Sequence, residues 1–303
     1  LFKCNKALIL NLSKKKDLIY QNIRTSYKSL INKTRQNTSL AILDQNNLDE
    51  NLFEKYPKQI ACVILEPAVT EHPKDNFLHK IKDLCHKNGA ILIFDEMWTG
   101  FRWDLKGAEH YYNVHPDLCT YGKAMANGYS VACVAGKEQI MNLGSIDNIG
   151  SERLFLLSST HGAEMSSLGA FLKTVETIKT KNVVKHLWNY GFELKKIFNE
   201  LIKDHNLEGY FIVSGPSCSP YYYTLDQNKK HSFGMRTLFI QEMIKNSVLM
   251  PWISLSYSHN SKELQITKKA ISKSFEIYSK ALKNGLDKYL IGKPIKPVFR
   301  KYN

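Results

Sequence analysis

From about residue 60 onward the sequence alternates short, unbroken apolar runs with stretches of helical periodicity, and few folds accommodate that alternation. Ala-Cys-Val-Ile-Leu-Glu at 61–66 is closed by Pro67, and Ala-Ile-Leu-Ile-Phe-Asp occupies 90–95. Between them Phe77, Leu78, Ile81 and Leu84 recur at helical spacing, and Gly89 stops the pattern. A strand that is apolar at successive positions is covered on both faces, which is the mark of a mostly parallel sheet between helices. Residues 131–135 read as a third buried strand. The expected class is therefore α/β.

The last third reads differently. Residues 163–206 are helical with a break near Asn182, and Leu187, Tyr190, Leu194, Ile197 and Leu201 step by three or four along one buried face. Strands at 209–214 and 221–225, a helix near 233–246, a strand at 253–257 and a helix at about 261–283 complete a smaller α+β unit. Residues 1–38 are rich in Lys and Asn, with weak helical periodicity and no clear strand. A chain of 303 residues accommodates about two domains. The division expected is an unassigned segment at 1–38, an incomplete larger domain at 39–184, a small C-terminal domain at 185–292 and a tail at 293–303.

Composition narrows the function. At 43% hydrophobic and 23% charged residues the chain is ordinary globular material, not disordered, collagen-like or disulfide-dense. The net charge is +14, but its densest runs, at 14–16 and scattered over 262–301, are not interleaved with aromatics, and no zinc-finger spacing occurs. A solvated Lys-rich surface is the reading, with no nucleic acid partner. The six cysteines form no C-x-x-C pair, and Cys62, Cys119 and Cys133 lie in apolar stretches. Reduced thiols and a cytoplasmic setting follow. The pairs His79/His86 and His110/His115 lack helical i, i+4 spacing, so no metal is expected. No apolar run approaches the ~18 residues of a membrane helix. The apolar stretch at 7–12 is too short, and lacks the small-residue site, for a signal peptide. Because the chain opens on Leu1 rather than Met, it is expected to be a fragment.

In open α/β sheets, ligands bind at the carboxyl ends of the strands. That singles out Glu66-Pro67, Asp95-Glu96, the Tyr-Gly-Lys at 121–123 and the Ser-Ser-Thr-His-Gly turn at 158–162. Asp95 is a ligand group or a helix cap, and Glu96 points the other way if the strand continues. Lys123 lies between Gly122 and Gly128, small residues that let backbone approach a ligand closely. The ordinary reading of such a Lys is a solvated charge. In a partly desolvated site it forms an imine with a carbonyl compound. Lys123 with Asp95 suits pyridoxal phosphate, which needs a Lys and often an acidic partner for its pyridine nitrogen. The 158–162 turn presents hydroxyls and N–H groups suited to a phosphate at a helix start, or simply caps the helix. His161 is read as a packed polar residue.

Four pieces in order, Ile64-Leu-Glu-Pro67, Ile93-Phe-Asp-Glu-Met-Trp-Thr-Gly-Phe-Arg102, Pro116-Asp117 and Tyr121-Gly-Lys-Ala-Met-Ala-Asn-Gly128, resemble the class III pyridoxal-phosphate aminotransferases. The similarity is greatest to the glutamate-1-semialdehyde aminomutase branch and covers roughly residues 39–283. It implies a fold-type I transferase fold and a homodimer with sites at its interface, acting on a small-molecule amino donor and acceptor. Lys123 would carry the internal aldimine and shuttle the proton. Asp95 would pair with the pyridine nitrogen, and Met97 would pack beneath the ring. Thr160, or Ser159, would reach the phosphate of the neighbouring subunit. Arg102 would grip a substrate carboxylate or a structural one nearby.

Two departures stand out. Upstream of residue 60 there is neither the family's Gly/Ser-rich phosphate turn nor its ring-stacking aromatic. The Ser-Thr-His-Gly-Ala-Glu run ending at Glu164 resembles a side branch of aminotransferases that act on sugars of surface polysaccharides. Three readings stay open: an aminotransferase or aminomutase, an inactive truncated fragment of one, and a sugar aminotransferase.

Overall fold

The computed structural model describes residues 6–11, 39–44, 50–145, 147, 149 and 164–296. The chain divides into two compact units, 1–182 and 183–303.

The first unit is built on a sheet of strands β1 (Lys6–Asn11), β2 (Ser39–Asp44), β3 (Ile60–Leu65), β4 (Ile91–Asp95), β5 (Leu118–Tyr121) and β6 (Cys133–Gly136). Their order is β2-β1-β3-β4-β5-β6. All neighbours are parallel except β5 and β6, which run antiparallel. The described helices of this unit are α1 (Glu50–Lys55), α2 (Phe77–Lys87), α3 (Ala108–Tyr111), α4 (Glu138–Met141) and α5 (Met165–Thr180). Parallel neighbours need crossover connections, and α2 is the one between β3 and β4. Its Phe77, Leu78, Ile81 and Cys85 are buried with Val63 and Leu65 of β3 and Leu92 and Phe94 of β4. The helix stops where the sequence says it should, at Gly89, whose φ of 70° suits glycine.

Three elements differ from the sequence reading. Lys6–Asn11, within the segment that shows no clear strand, is a strand paired on both sides, with β2 and β3. Its four-residue apolar core is what a parallel strand requires, but it is short and lies in Lys/Asn-rich text. The run at 131–135 contributes β6, which is exposed at all four positions. An apolar run alone does not separate a central strand from an edge one. Residues 253–257 form no strand. Ile253 instead packs into the core as part of an irregular segment.

The second unit comprises α6 (Val183–Asp204), β7 (Phe211–Ser214), β8 (Tyr221–Thr224), α7 (Phe233–Lys245) and α8 (Ser261–Asn284). The strands β7 and β8 pair antiparallel. The α6 stripe read from the sequence is buried at Leu187, Leu194, Ile197 and Leu201. Phe211 is the hub of the core, with Phe275, Phe239, Tyr222 and Tyr278 rings 4.8, 4.9, 5.4 and 5.8 Å away. Such aromatic pairs add about 0.5–1.5 kcal/mol each beyond area burial. A capping box formed by Asn260 and Glu263 starts α8. Among the described residues no helix is long and apolar enough to cross a membrane.

Candidate active site

The carboxyl ends of β3, β4 and β5 bring Glu66, Asp95 and Lys123 together. Register does this: Leu65 is level with Phe94, and Asp95 is level with Thr120, three residues before Lys123. The two residues picked from the sequence as an acid and amine pair thus lie at the ends of adjacent strands.

Asp95 is held rather than loose. Its Oδ1 accepts the Met97 N–H at 3.1 Å and the Thr120 hydroxyl at 3.2 Å. Among the described residues its Oδ2 accepts no hydrogen bond. A carboxylate with one oxygen anchored and one open is suited to receive a protonated nitrogen.

Lys123 opens a single 3-10 turn, Lys123–Met125, directly after β5. Its φ is 43°, in the left-handed region that side-chain-bearing residues rarely enter. Such strain costs about 1–3 kcal/mol and clusters at functional sites. The residue is exposed. Among the described residues no carboxylate forms an ion pair with it, and its Nζ lies 5.8 Å from the Trp98 ring centroid. Glu66 feels both site residues. Burial pushes its carboxyl up, the Asp95 charge adds to that, and Lys123 pulls the other way.

Met97 packs against Gly122: a Cβ added to Gly122 would meet Met97 Cε at 2.4 Å. The thioether therefore sits against Gly122, beside the β4 and β5 ends. Arg102 turns back on its own loop. It donates from Nη1 to the Trp98 carbonyl at 2.9 Å, and its guanidinium carbon is 4.8 Å from the Trp98 ring centroid. Ser159, Thr160 and the turn at 158–162 lie outside the described residues.

Glu96 does point away from Asp95, and its role is architectural. Its buried carboxylate accepts the Thr99 hydroxyl and the Ala108 and Glu109 N–H groups at 2.8 and 2.7 Å. Those last two are the orphan donors at the start of α3. Burial pushes the Glu96 carboxyl up, against the pull of these three hydrogen bonds. The Thr-Gly that follows belongs to the same device, because a Cβ on Gly100 would lie 2.7 Å from the Glu96 carbonyl oxygen. The Asp-Glu pair thus divides its labour, with Asp95 facing the site and Glu96 folding the loop that carries Trp98 and Arg102. Asp117 is structural too. It accepts the Leu92 N–H at 2.7 Å and pairs with Lys137 at 2.6 Å and His86 at 3.2 Å.

Sequence reasoning did not single out Thr120 or Trp98. Thr120 could be found only from the β4–β5 register, which the sequence does not state. Trp98 could have been found, as a large aromatic three residues beyond Asp95.

Comparison with known proteins gives a consistent picture. A family model described as aminotransferase class-III matches residues 10–210. The chain is 30% identical over 223 residues to a glutamate-1-semialdehyde 2,1-aminomutase of Clostridium tetani, covering 70% of this chain and 52% of that protein. It is 29% identical over 255 residues to a 3-aminobutyryl-CoA aminotransferase of Cloacimonas acidaminovorans, covering 78% and 58%. It spans a little over half the length of these curated relatives. Among solved structures it resembles the internal aldimine form of the FumI protein of Sphingopyxis, with a TM-score of 0.74 at 18% identity over 91% of this chain and 66% of that one. An omega-transaminase of Sphaerobacter thermophilus gives 0.73 at 18% identity, covering 94% and 69%. These likenesses show the fold, a transaminase fold with a mostly parallel sheet.

Proposed function

The chain belongs to the class III aminotransferases, and on that premise we propose that it transfers or shifts an amino group on a small molecule with pyridoxal phosphate as cofactor. The observation that carries the reading is the placement of Asp95, one carboxylate oxygen open, and Lys123, without an ion-pair partner among the described residues, at adjacent strand ends.

The donor set fits the cofactor. Lys123 would hold it covalently through Nζ, and Asp95 Oδ2 would keep a proton on its ring nitrogen. Met97 would pack against its face, and Ser159 or Thr160 would bind its phosphate, in the partner subunit of a homodimer. When bound, pyridoxal phosphate withdraws electrons from the carbon that carries the substrate's amino group. Asp95 would favour a proton on the ring nitrogen, its carboxylate held in place by the two hydrogen bonds to Oδ1. The Lys123 amine would serve as general base and general acid, taking and giving the substrate's proton at Nζ. Arg102 remains the candidate for a substrate carboxylate. Aminotransfer between two molecules and migration within one use the same Lys and carboxylate, and relatives of both kinds support the broader statement. A cytoplasmic setting agrees with the free thiols of Cys62, Cys85, Cys119, Cys133 and Cys218.

The test is borohydride reduction of the protein after incubation with pyridoxal phosphate, followed by peptide mass mapping. The expected result is a phosphopyridoxyl group confined to Lys123 and absent from a folded Lys123→Ala variant. Labelling spread over many lysines, or none at all, overturns the reading.

A further inference from the structure

Trp98 is engaged by two cations, and neither contact follows from the family resemblance. The Arg102 guanidinium carbon lies 4.8 Å from the centroid of its ring and Lys123 Nζ lies 5.8 Å away. Both are within the ~6 Å over which the negative face of an indole attracts a cation. Arg102 is tied to Trp98 a second time, by the hydrogen bond from Nη1 to the Trp98 carbonyl at 2.9 Å. The backbone supports the same loop: the Arg102 and Trp103 N–H groups both reach the Thr99 carbonyl at 3.1 Å, and Gly100 N–H reaches the Glu96 carbonyl at 2.8 Å. The ring is therefore fixed by its own turn and by Arg102, whereas Lys123 is a long, exposed side chain without an ion-pair partner among the described residues. Glu66, at the end of β3, feels the charges of both Lys123 and Asp95.

We propose that Trp98 is a positioning residue: its indole face holds the Lys123 ammonium at one place beside Asp95, with Arg102 as the buttress that fixes the ring. The proposal deepens the reading of Lys123 as the reacting amine and rests on it for its catalytic meaning. The placement itself is a property of the protein alone. A Lys with four rotatable side-chain bonds otherwise samples many positions, and a reacting group gains rate from being held near one.

The experiment is competitive acetylation of the full chain without cofactor, using limiting acetic anhydride and peptide mass mapping. It reads the labelling of Lys123 relative to Lys280, which lies in the second unit and pairs with Glu276 at 2.6 Å. In Trp98→Ala the relative labelling of Lys123 is expected to rise about two- to fivefold, the factor that one exposed cation–π contact represents. Trp98→Leu, apolar but without a π face, is expected to behave like Trp98→Ala. Trp98→Phe, which keeps an aromatic face, is expected to stay closer to wild type than either. If Trp98→Ala unfolds, all lysines rise together, and the comparison of Leu with Phe carries the decision. Unchanged relative labelling in folded Trp98→Ala and Trp98→Leu overturns the proposal, as does a Phe variant indistinguishable from Leu. The two readings fail separately. A wild type that forms no borohydride-fixed adduct at Lys123 sinks the cofactor reading alone. An adduct at Lys123 together with insensitivity to Trp98 sinks the positioning role alone.

Discussion

Asp95 and Thr120 face each other across the β4–β5 ladder, and the Thr120 hydroxyl donates to Asp95 Oδ1 at 3.2 Å. With Oδ1 so anchored, Oδ2 accepts no hydrogen bond among the described residues. Replacing Thr120 by Val keeps the shape and removes the donor. A hydrogen bond to a charged group is worth about 1.5–3 kcal/mol, and the Met97 N–H still holds the same oxygen. Thr120→Val is therefore expected to weaken pyridoxal phosphate binding about tenfold, at the lower end of that range. Titration of the cofactor's absorbance against protein checks it. Equal affinity in the variant would mean that β5 plays no part in aiming Asp95.

A second carboxylate makes the fold sensitive to acid. Burial alone would raise the Asp117 carboxyl, but the Lys137 ammonium, the Leu92 N–H and His86 together hold it below its ordinary value of 3.8. A depressed carboxylate stabilises the fold fully above its unfolded value, and that contribution is lost as pH falls through the folded value. Wild type should thus lose Tm steeply on acidification below about 3.8. Asp117→Asn should flatten that part of the profile while lowering stability at neutral pH by about 1–3 kcal/mol. Thermal melts across pH 2–7 for the two proteins decide it, and parallel profiles would remove Asp117 as the cause.

Packing in the second unit gives a sharper test. Gly191 lies inside α6, where Ala is ordinarily favoured by about 1 kcal/mol. Here a Cβ would come within 1.7 Å of the Ser217 carbonyl oxygen and 2.8 Å of Leu255 Cδ1. The first obstacle is backbone, so the helix or the loop must move. Overpacking of this kind costs about 1–3 kcal/mol or more and outweighs the helix preference. Gly191→Ala is expected to lower the denaturant midpoint clearly, whereas propensity alone predicts a rise.

These contrasts show what the sequence could carry. The strands β3 and β4, the helix α2 with its stop at Gly89, and the α6 stripe were legible because periodicity records which faces are buried. The placement of Asp95 and Lys123 at adjacent strand ends was legible because each directly ends or follows a short apolar run. Thr120 was not, because its contact with Asp95 depends on register between strands separated by more than twenty residues. The strand Lys6–Asn11 was hidden by its Lys- and Asn-rich surroundings, and the exposure of β6 by the fact that neighbours, not composition, make an edge. Glu96 was legible only in direction. Its partners, the Ala108 and Glu109 N–H groups, come from a helix too short to read.

The contact between Gly122 and Met97 tests the site without disturbing the fold. Gly122 is extended, with φ of −175°, so alanine adopts its backbone without strain. Only space is at issue: the new Cβ would lie 2.4 Å from Met97 Cε and 2.9 Å from Sδ. Both atoms belong to the far end of an unbranched side chain that relocates readily. Gly122→Ala should therefore leave Tm almost unchanged while displacing Met97 toward the space beside Asp95 and weakening pyridoxal phosphate binding. Met97→Ala removes the obstacle, so the Met97→Ala/Gly122→Ala pair should bind the cofactor better than Gly122→Ala alone. A coupling of about 0.5–3 kcal/mol is the range for residues in direct contact. Cofactor titration of the four proteins closes the cycle. Strictly additive losses would mean that the thioether and the glycine act independently, and that Met97 does not shape the cofactor's place.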